Sequence, residues 1–349
     1  MSSSADIHTD TPVGINVPAA SAWLDTLFGD NKTSTLTPIR GGGSCEIYEL
    51  MRGEQRLVIR KAPKVLVADS AHNVLREFQI IEALQSSKVR VPQVFGACDD
   101  RKIADAPFYV MAFIDGSVVR RRLPRNYQLA PQQQSSIGTD LIDSLVELHA
   151  FDWRNSEIAS LSKPENYLSR QVDRWLQQYG SYACRELPVI DSVSQWLARH
   201  RPGDHELTVM HGDYKLDNVM LSKDFPIRVL SLMDFEMTTV GDPLIDLAWA
   251  LTFWPEEGNL IAIAAPGTEG GMDAQYCQKP ETLVQRYVDL TGRNVNDLQW
   301  YQVFAAWKLA IILEASYATF LAGNSNNPNH EIFGFVVDQL LLRAERFAN

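Results

Sequence analysis

The sequence has few cysteines and no long apolar run, and both absences restrict the protein's setting. Its four cysteines, among 349 residues, lie far apart with neither a CxxC pair nor a histidine cluster nearby. This spacing disfavours a zinc site and predicts free thiols packed as small apolar side chains. No apolar run reaches the roughly 20 residues that span a bilayer, and the polar amino terminus lacks the apolar segment of a signal peptide. We therefore expect a cytoplasmic protein without a membrane partner.

An excess of positive charge is also missing. The net charge of -11 at pH 7 argues against a nucleic-acid partner, because binding to phosphate backbones depends on clustered Lys and Arg. One basic cluster is present, formed by Arg120, Arg121, Arg122 and Arg125. It is either a solvated surface turn or a binding site for an anionic substrate tail, which Arg holds bidentately. No pattern predicts an oligomeric state.

The apolar patterning changes along the chain and predicts an α+β protein of two lobes. Residues 1–15 are predicted to be a disordered arm, residues 16–114 a small β-rich lobe and residues 115–349 a larger α-rich lobe. The predicted strands are 35–39, 46–51, 56–60, 94–98, 108–113, 219–221 and 228–233. The predicted helices are 18–28, 74–84, 132–150, 167–179, 189–199, 243–254, 282–291, 298–322 and 331–347. A Gly- and Ala-rich stretch over 255–280 is predicted to be a mobile loop near the functional site.

The strongest motif is the loop HGDYKLDN, in which Asp213 precedes Asn218 by five residues between apolar segments. This spacing matches the catalytic loop of protein-kinase-like enzymes. A hydroxyl that attacks phosphorus must lose its proton to a nearby carboxylate, and a neighbouring amide oxygen can hold a metal ion. We expect Asp213 to be the catalytic base and Asn218 a metal ligand. Lys215 is the candidate contact to the γ-phosphate.

A second motif, LMDFE, places Asp234 at the end of an apolar strand. Its position corresponds to the kinase D-F-G motif, whose Asp binds the Mg²⁺ that bridges the nucleotide phosphates. A lone Asp in a loop is usually a turn or cap residue. The two motifs together, in this order, favour a site for ATP and Mg²⁺ at which Asp213, Asn218 and Asp234 converge.

The sequence resembles the aminoglycoside phosphotransferase family through HGDYKLDN, LMDFE and GDPLIDLA, from about residue 36 to the end of the chain. The branch that it resembles also occurs fused to acyl-CoA dehydrogenases. The resemblance implies a bilobal protein-kinase-like fold with a nucleotide-binding N-lobe and a catalytic and substrate-binding C-lobe. It also implies a small-molecule kinase that uses ATP and Mg²⁺, and that Asp246 braces the catalytic loop through hydrogen bonds.

Two departures from protein kinases favour this family. Gly212 replaces the Arg that pairs with a phosphorylated activation loop in many protein kinases. The short stretch between Asp234 and Asp242 leaves no room for a long activation segment that binds a peptide. Asp242, followed by Pro243, is interpreted as a helix N-cap, and His211 as a packed imidazole that orients the loop.

The small lobe carries candidate nucleotide-binding residues. Gly41, Gly42, Gly43 and Ser44 lie between two predicted strands, where backbone amides can approach phosphates without a Cβ in the way. A flexible hairpin without a ligand explains the same glycines equally well. Met111 and Phe113 belong to the predicted hinge that meets the adenine, although apolar residues there also suit a simple core.

The third strand leaves a choice between two adjacent cations, Arg60 and Lys61. With Arg60 at the phosphate-binding position, Val58 faces the adenine and Ile59 packs into the lobe. With Lys61 there, the charged Arg60 would enter the core. We therefore favour Arg60, which can bridge the phosphates bidentately.

The helix over 74–84 offers two ion-pair partners for that cation. Glu77 is the favoured partner, Glu82 is the competing candidate, and an exposed helix Glu without a role is the alternative for either.

The sequence thus predicts transfer of the ATP γ-phosphoryl group to a hydroxyl of a small molecule. A protein kinase and a nucleotide-binding module without catalysis are the rival predictions. The substrate stays open: acidic pockets suit aminoglycosides or choline, whereas the arginine cluster and the branch resemblance point to an anionic or hydroxyacyl compound.

Overall fold

The chain divides into two compact units, which are described separately. The computed structural model describes residues 14–39, 45–64, 73–119, 123–203, 206–256, 272–325 and 327–348. The smaller unit comprises Met1–Asp115 with Asp234–Glu236, and the larger comprises Gly116–Met233 with Met237–Asn349. The sequence pattern had placed the boundary between residues 114 and 115. Several predictions concern residues outside the described ones. These are Gly41, Gly42, Gly43 and Ser44, Arg120–Arg122, and most of the predicted amino-terminal arm and of the predicted loop over 255–280.

The smaller unit contains an antiparallel five-stranded sheet and two helices. The sheet order is β1-β2-β3-β5-β4. Its strands are β1 (Ser34–Pro38), β2 (Glu46–Arg52), β3 (Gln55–Lys61), β4 (Val94–Cys98) and β5 (Phe108–Ala112). Helix α1 (Val17–Phe28) precedes the sheet, and α2 (Val74–Leu84) connects β3 to β4.

Local chemistry fixes the ends of both helices. The Asn16 side chain accepts a hydrogen bond from the backbone N–H of Ala19 (3.3 Å) at the start of α1. Gly29 ends α1 in the left-handed conformation, with φ 67°, which glycine adopts without a Cβ clash. Asn73 caps α2 by accepting from the N–H of Arg76 (3.0 Å).

The pleat of β3 separates the core from the functional face. Ile59 is fully buried in a cluster with Leu24 of α1, Leu50 of β2 and Phe108 of β5. Because side chains alternate along a strand, Arg60 points to the opposite face from Ile59. The hydrophobic pattern therefore fixes which cation of β3 leaves the core.

The larger unit is mainly helical, with two small antiparallel sheets. Strand β6 (Thr208–Met210) pairs with β9 (Thr239–Gly241), and β7 (Val219–Leu221) pairs with β8 (Val229–Leu232). Its helices are α3 (Arg125–Leu129), α4 (Ser135–His149), α5 (Glu157–Ser160), α6 (Gln171–Gly180), α7 (Pro188–Arg199), α8 (Leu244–Thr252), α9 (Pro280–Thr291), α10 (Leu298–Leu321) and α11 (Asn329–Ala348).

Helix α10 forms the centre of the larger unit. It packs against α6, α7, α8 and α11. By length and composition it is the one described helix apolar enough to cross a membrane, a test that buried core helices also pass. Its contacts with four helices, together with the charged Lys308 and Glu314 along its length, mark it as a core helix.

Most predicted elements are confirmed, as is the α+β fold class. The helix over 74–84 and the strands over 94–98 and 219–221 agree at both ends. The predicted helix over 132–150 begins instead as a 3₁₀ turn, Pro131–Gln134, before α4. The pattern missed four short elements, namely α3, α5, β6 and β9, because segments of three to five residues show too little periodicity to detect.

Candidate active site

A buried ion-pair cluster lies within the smaller unit. Arg60 Nε donates to Glu77 Oε2 (2.8 Å), and Arg60 Nη2 donates to Asp234 Oδ1 (2.8 Å). Glu77 is only 1% exposed, and its other oxygen accepts from the backbone N–H of Phe235 (3.0 Å). Glu82, the competing partner, is exposed. The predicted Arg60–Glu77 pair is thus confirmed, and Asp234 joins it.

The cluster keeps its guanidinium charged. Burial alone would lower the pKa of Arg60, but the neighbouring Glu77 and Asp234 carboxylates raise it above its ordinary value. A persistent cation with a planar donor fork suits the binding of nucleotide phosphates. Asp234 itself adopts φ 67°, a left-handed conformation that is uncommon outside glycine and is often found at functional sites.

Lys61, the rejected alternative, also has partners. Its ammonium is buried and pairs with Asp105 Oδ1 (2.6 Å) and Glu46 Oε2 (3.1 Å). Either register would have buried one cation on the core face of β3. The sequence does not show that Asp105 and Glu46 neutralise Lys61, because Asp105 lies 44 residues away along the chain.

The remaining predicted nucleotide-binding residues lie along β3 and the end of β5. Val58 is buried opposite Met111 in the strand register, and Met111 is partly exposed. The Phe113 ring lies under the Arg56 guanidinium, whose central carbon is 3.5 Å from the ring centroid. This arrangement brings Val58 and Met111 together, and their contact with adenine stays a prediction.

The predicted base, Asp213, lies in the larger unit, and three donors hold its carboxylate. Trp249 Nε1 donates to Oδ1 (2.7 Å). Lys215 Nζ (2.6 Å) and Asn218 Nδ2 (2.9 Å) both donate to Oδ2. The structure therefore brings together Asp213, Lys215 and Asn218, as the motif predicted, and adds Trp249.

The loop that carries Asp213 is anchored by Asp246 on α8. One carboxylate accepts the backbone N–H groups of His211 (2.6 Å) and Gly212 (2.9 Å). His211 is fully buried and its Nε2 lies 2.9 Å from the carbonyl oxygen of Met233, which ties the loop to the end of β8. The bracing role of Asp246 and the orienting role of His211 are thus confirmed.

The backbone conformation at position 212 favours glycine. Its φ is 84°, and an added Cβ would lie 2.5 Å from the carbonyl oxygen of Met237. A residue with a side chain is therefore strained at this position. The capping role of Asp242 is also confirmed, because Oδ1 accepts from the N–H of Leu244 (3.0 Å), and Oδ2 accepts from the Tyr301 hydroxyl (2.6 Å).

The surroundings of Asp213 keep it ionised. Burial alone would raise its pKa, but the Lys215 ammonium and the hydrogen bonds from Lys215 and Trp249 hold the pKa below its ordinary value. A carboxylate that is ionised at neutral pH can accept a proton from a hydroxyl.

The donor types suit magnesium. The Asn218 amide nitrogen donates to the Asp213 carbonyl and carboxylate, so its amide oxygen is the atom left to bind a cation. Mg²⁺ prefers hard oxygen ligands and is usually held by one or two carboxylates plus phosphates and water. Among the described residues no group of three or more His, Cys, Asp or Glu could hold a metal ion, and a Mg²⁺ carried with phosphates needs none. Asn218 and Asp234 each carry an oxygen of the type that Mg²⁺ prefers, and their sharing of one ion stays a prediction.

Sequence reasoning missed Trp249 and Lys308. Trp249 lies in the apolar pattern of α8, which is typical of a core residue, and nothing in that pattern shows its indole N–H reaching Asp213. Lys308 was detectable as a charged residue in the middle of an otherwise apolar stretch of α10. Its ammonium lies 4.4 Å from the Trp249 ring centroid.

Residues 35–278 match the phosphotransferase enzyme family. The human protein acyl-CoA dehydrogenase family member 11 is 29% identical over 321 residues, covering 90% of this chain and 40% of that protein. The rat protein of the same name is 31% identical over 301 residues, which cover 84% of this chain and 37% of that protein. This chain thus spans about two-fifths of the length of each of these two relatives.

Two solved structures share the fold. A candidate aminoglycoside phosphotransferase from Ralstonia eutropha superimposes with a TM-score of 0.82 at 24% identity, over 96% of this chain and 98% of that one. A spectinomycin phosphotransferase in complex with ADP and spectinomycin gives a TM-score of 0.59 at 12% identity, over 96% of this chain and 100% of that one. The predicted protein-kinase-like fold is confirmed.

Proposed function

Because the chain belongs to the phosphotransferase enzyme family, we propose that it transfers the γ-phosphoryl group of ATP to a hydroxyl of a small molecule, with Mg²⁺ as the cofactor. A cytoplasmic setting is part of the same proposal.

One observation carries the proposal: three donors hold the carboxylate of Asp213 on a loop whose backbone Asp246 fixes. A catalytic base must be both ionised and oriented, because proton transfer depends on geometry as well as pKa.

In the proposed reaction, a carboxylate oxygen of Asp213 accepts the proton of the substrate hydroxyl while the hydroxyl oxygen bonds to the γ-phosphorus. The bond from that phosphorus to the bridging oxygen of ADP breaks at the same time. Lys215 offsets negative charge on the transferred group, and Arg60 binds the phosphates of the nucleotide. Asn218 and Asp234 would hold the magnesium, which would neutralise phosphate charge when bound.

The direct test is a coupled ADP-release screen over hydroxyl-bearing metabolites with Asp213→Ala beside the wild type. We expect turnover of at least one compound, and a loss in Asp213→Ala on the order of 10²–10⁴-fold, the usual contribution of a general base. ATP affinity should change little, because the proposed partner of Asp213 is the acceptor hydroxyl.

Asp217→Ala is the matched control, since its carboxylate lies in the same loop, is 43% exposed and sits 3.8 Å from Lys215 Nζ. Equal turnover in wild type and Asp213→Ala would refute the assignment of the base. Mg²⁺-dependent ATP binding with no turnover of any hydroxyl compound would favour a nucleotide-binding module instead.

A further inference from the structure

Lys308 in the larger unit is a buried cation that has no carboxylate partner among the described residues. It is 8% exposed, and its ammonium lies 4.4 Å from the ring centroid of Trp249 and 5.3 Å from that of Trp175. Across the described part of the chain it forms no hydrogen bond and no ion pair. Buried lysines are rare unless they are paired. The three N–H donors of this ammonium face two indole rings and have no hydrogen-bond acceptor among the described residues.

A second buried donor lies beside it. The indole N–H of Trp175 is buried and donates to no described atom. Five other indoles of the same unit do donate a hydrogen bond to the protein. Trp153, Trp249, Trp254, Trp300 and Trp307 donate to Leu207, Asp213, Gln278, Leu197 and Ile190, in that order. Buried polar groups normally have partners from the protein or from ordered water, so these two donors mark a place that an acceptor from outside the chain can occupy.

The position of Lys308 relates it to the proposed base. Trp249 presents its ring face to Lys308 and its indole N–H to Asp213 Oδ1. The ammonium and the base therefore contact the same indole, one at its ring face and the other at its N–H. A substituent of a small molecule whose hydroxyl reaches Asp213 can then lie near Lys308.

The charged groups near Lys308 act on it in both directions. Burial lowers the pKa of Lys308 to about 8, Asp213 and Asp246 raise it, and neither carboxylate forms an ion pair with it. Arg174 and Lys215 lower the pKa, with a smaller effect than the two carboxylates. A negatively charged group in contact with the ammonium would supply the ion pair that these carboxylates do not form, whereas a cationic group there would be repelled.

We propose that Lys308, together with the Trp175 indole N–H, binds an anionic oxygen group on the same small molecule whose hydroxyl is phosphorylated. This inference rests on the proposed function and narrows its substrate class to hydroxyl compounds that carry a carboxylate or a phosphate monoester. Lys308 is then a specificity-determining residue, and cationic acceptors such as aminoglycosides are excluded.

The test measures binding and turnover separately in the full chain. The probes are straight-chain hydroxycarboxylates with the hydroxyl at successive carbons, their primary amides, and the matching hydroxyalkyl phosphates. Intrinsic tryptophan fluorescence reports binding, because Trp175 and Trp249 both face the ammonium. A coupled assay of ADP release reports turnover.

We expect at least one anionic compound to bind about tenfold or more tightly than its amide, as the loss of a charge-assisted hydrogen bond predicts. Lys308→Met should abolish this preference while leaving the KM for ATP unchanged. Lys308→Arg should keep part of it. Lys163→Met, which removes an exposed lysine of the same unit, is the matched control and should behave as the wild type. Whether carboxylates or phosphate esters bind more tightly identifies the anion.

Three results would overturn the inference. The wild type could bind each anion and its amide equally well or not at all, Lys308→Met could retain the preference, or Lys308→Met could instead raise the KM for ATP, which would place a nucleotide phosphate at Lys308. Turnover of neutral hydroxyl compounds alone would refute the anion site at Lys308 and leave the kinase proposal intact. Selective binding of anions without any ADP release would support the anion site and count against the kinase proposal.

Discussion

The buried cations of the two units have different partners. In the smaller unit, Arg60 contacts two carboxylates and Lys61 contacts two others. In the larger unit, Lys308 contacts the ring faces of Trp175 and Trp249 and forms no ion pair with any described residue. The paired cations are held in place by the protein's own carboxylates, and Arg60 is nevertheless the proposed partner of the nucleotide phosphates. Lys308 forms no such ion pair among the described residues, and the proposed anion would supply one.

The largest effect is expected from breaking the paired cluster. Glu77→Gln removes the buried partner of Arg60 and leaves a guanidinium with one carboxylate fewer. Because the pair is buried, we expect the free energy of unfolding to fall by about 3 kcal/mol and the KM for ATP to rise. Urea unfolding and steady-state kinetics measure the two effects. Glu82→Gln on the exposed side of the same helix is the control, and equal stability of the two variants would contradict the prediction.

An intermediate effect is expected at the residue that faces both Asp213 and Lys308. Trp249→Phe keeps an aromatic ring but removes the N–H donor to Asp213, so the pKa of that carboxyl should rise toward its ordinary value. The base acts only when ionised, and activity is lost as the pH falls through its folded pKa. The acid limb of kcat/KM should therefore move to higher pH, with kcat about tenfold lower.

The control for that variant is Trp254→Phe, which removes an indole hydrogen bond to the Gln278 carbonyl in the same unit. Its acid limb should coincide with that of the wild type. If the limb of Trp249→Phe also stays in place, the indole does not tune the base.

The smallest effect concerns the cost of the unpaired cation. The folded pKa of Lys308 is lowered to about 8 from an ordinary 10.5, with Asp213, Asp246, Arg174 and Lys215 as the charged groups around it. The unfolded chain then binds more protons between these values, so this lysine costs stability in full below about pH 8 and progressively less as the pH rises to 10.5. Lys308→Met should be more stable than the wild type at neutral pH by a net amount on the order of 1 kcal/mol, after the lost cation–π contacts are subtracted.

Urea unfolding at neutral and at alkaline pH measures this difference. The advantage of Lys308→Met should disappear at the alkaline pH. A variant that is clearly less stable than the wild type at both would indicate that the lysine holds the fold.

Much of the site could be predicted because its chemistry is local in the sequence. Asp213, Lys215 and Asn218 share one short loop, so their spacing alone places them together. Arg60 was selected over Lys61 by strand alternation, which the apolar Ile59 fixes. Glu77 and Glu82 were the two candidate partners that one short helix offered, and the favoured Glu77 is the one that pairs with Arg60.

The parts that could not be predicted depend on distant residues. Trp249 lies 36 residues beyond the carboxylate that it contacts, and Lys308 meets two indoles from two other helices. A periodic pattern shows that such residues are buried and does not show what they touch. The carboxylate partners of Lys61 could not be predicted for the same reason. The convergence of Asp234 with Asp213 and Asn218 stays a prediction.

The three-residue segment Asp234–Glu236 belongs to the smaller unit although its flanking residues belong to the larger one. During synthesis, Arg60 and Glu77 therefore leave the ribosome long before the carboxylate that completes their cluster. A fragment that stops near residue 115 would carry the guanidinium with only one of its two acids. The smaller unit is thus not complete when its own contiguous stretch of chain has been made, and its last ion pair can form only after about half of the helical unit has been translated.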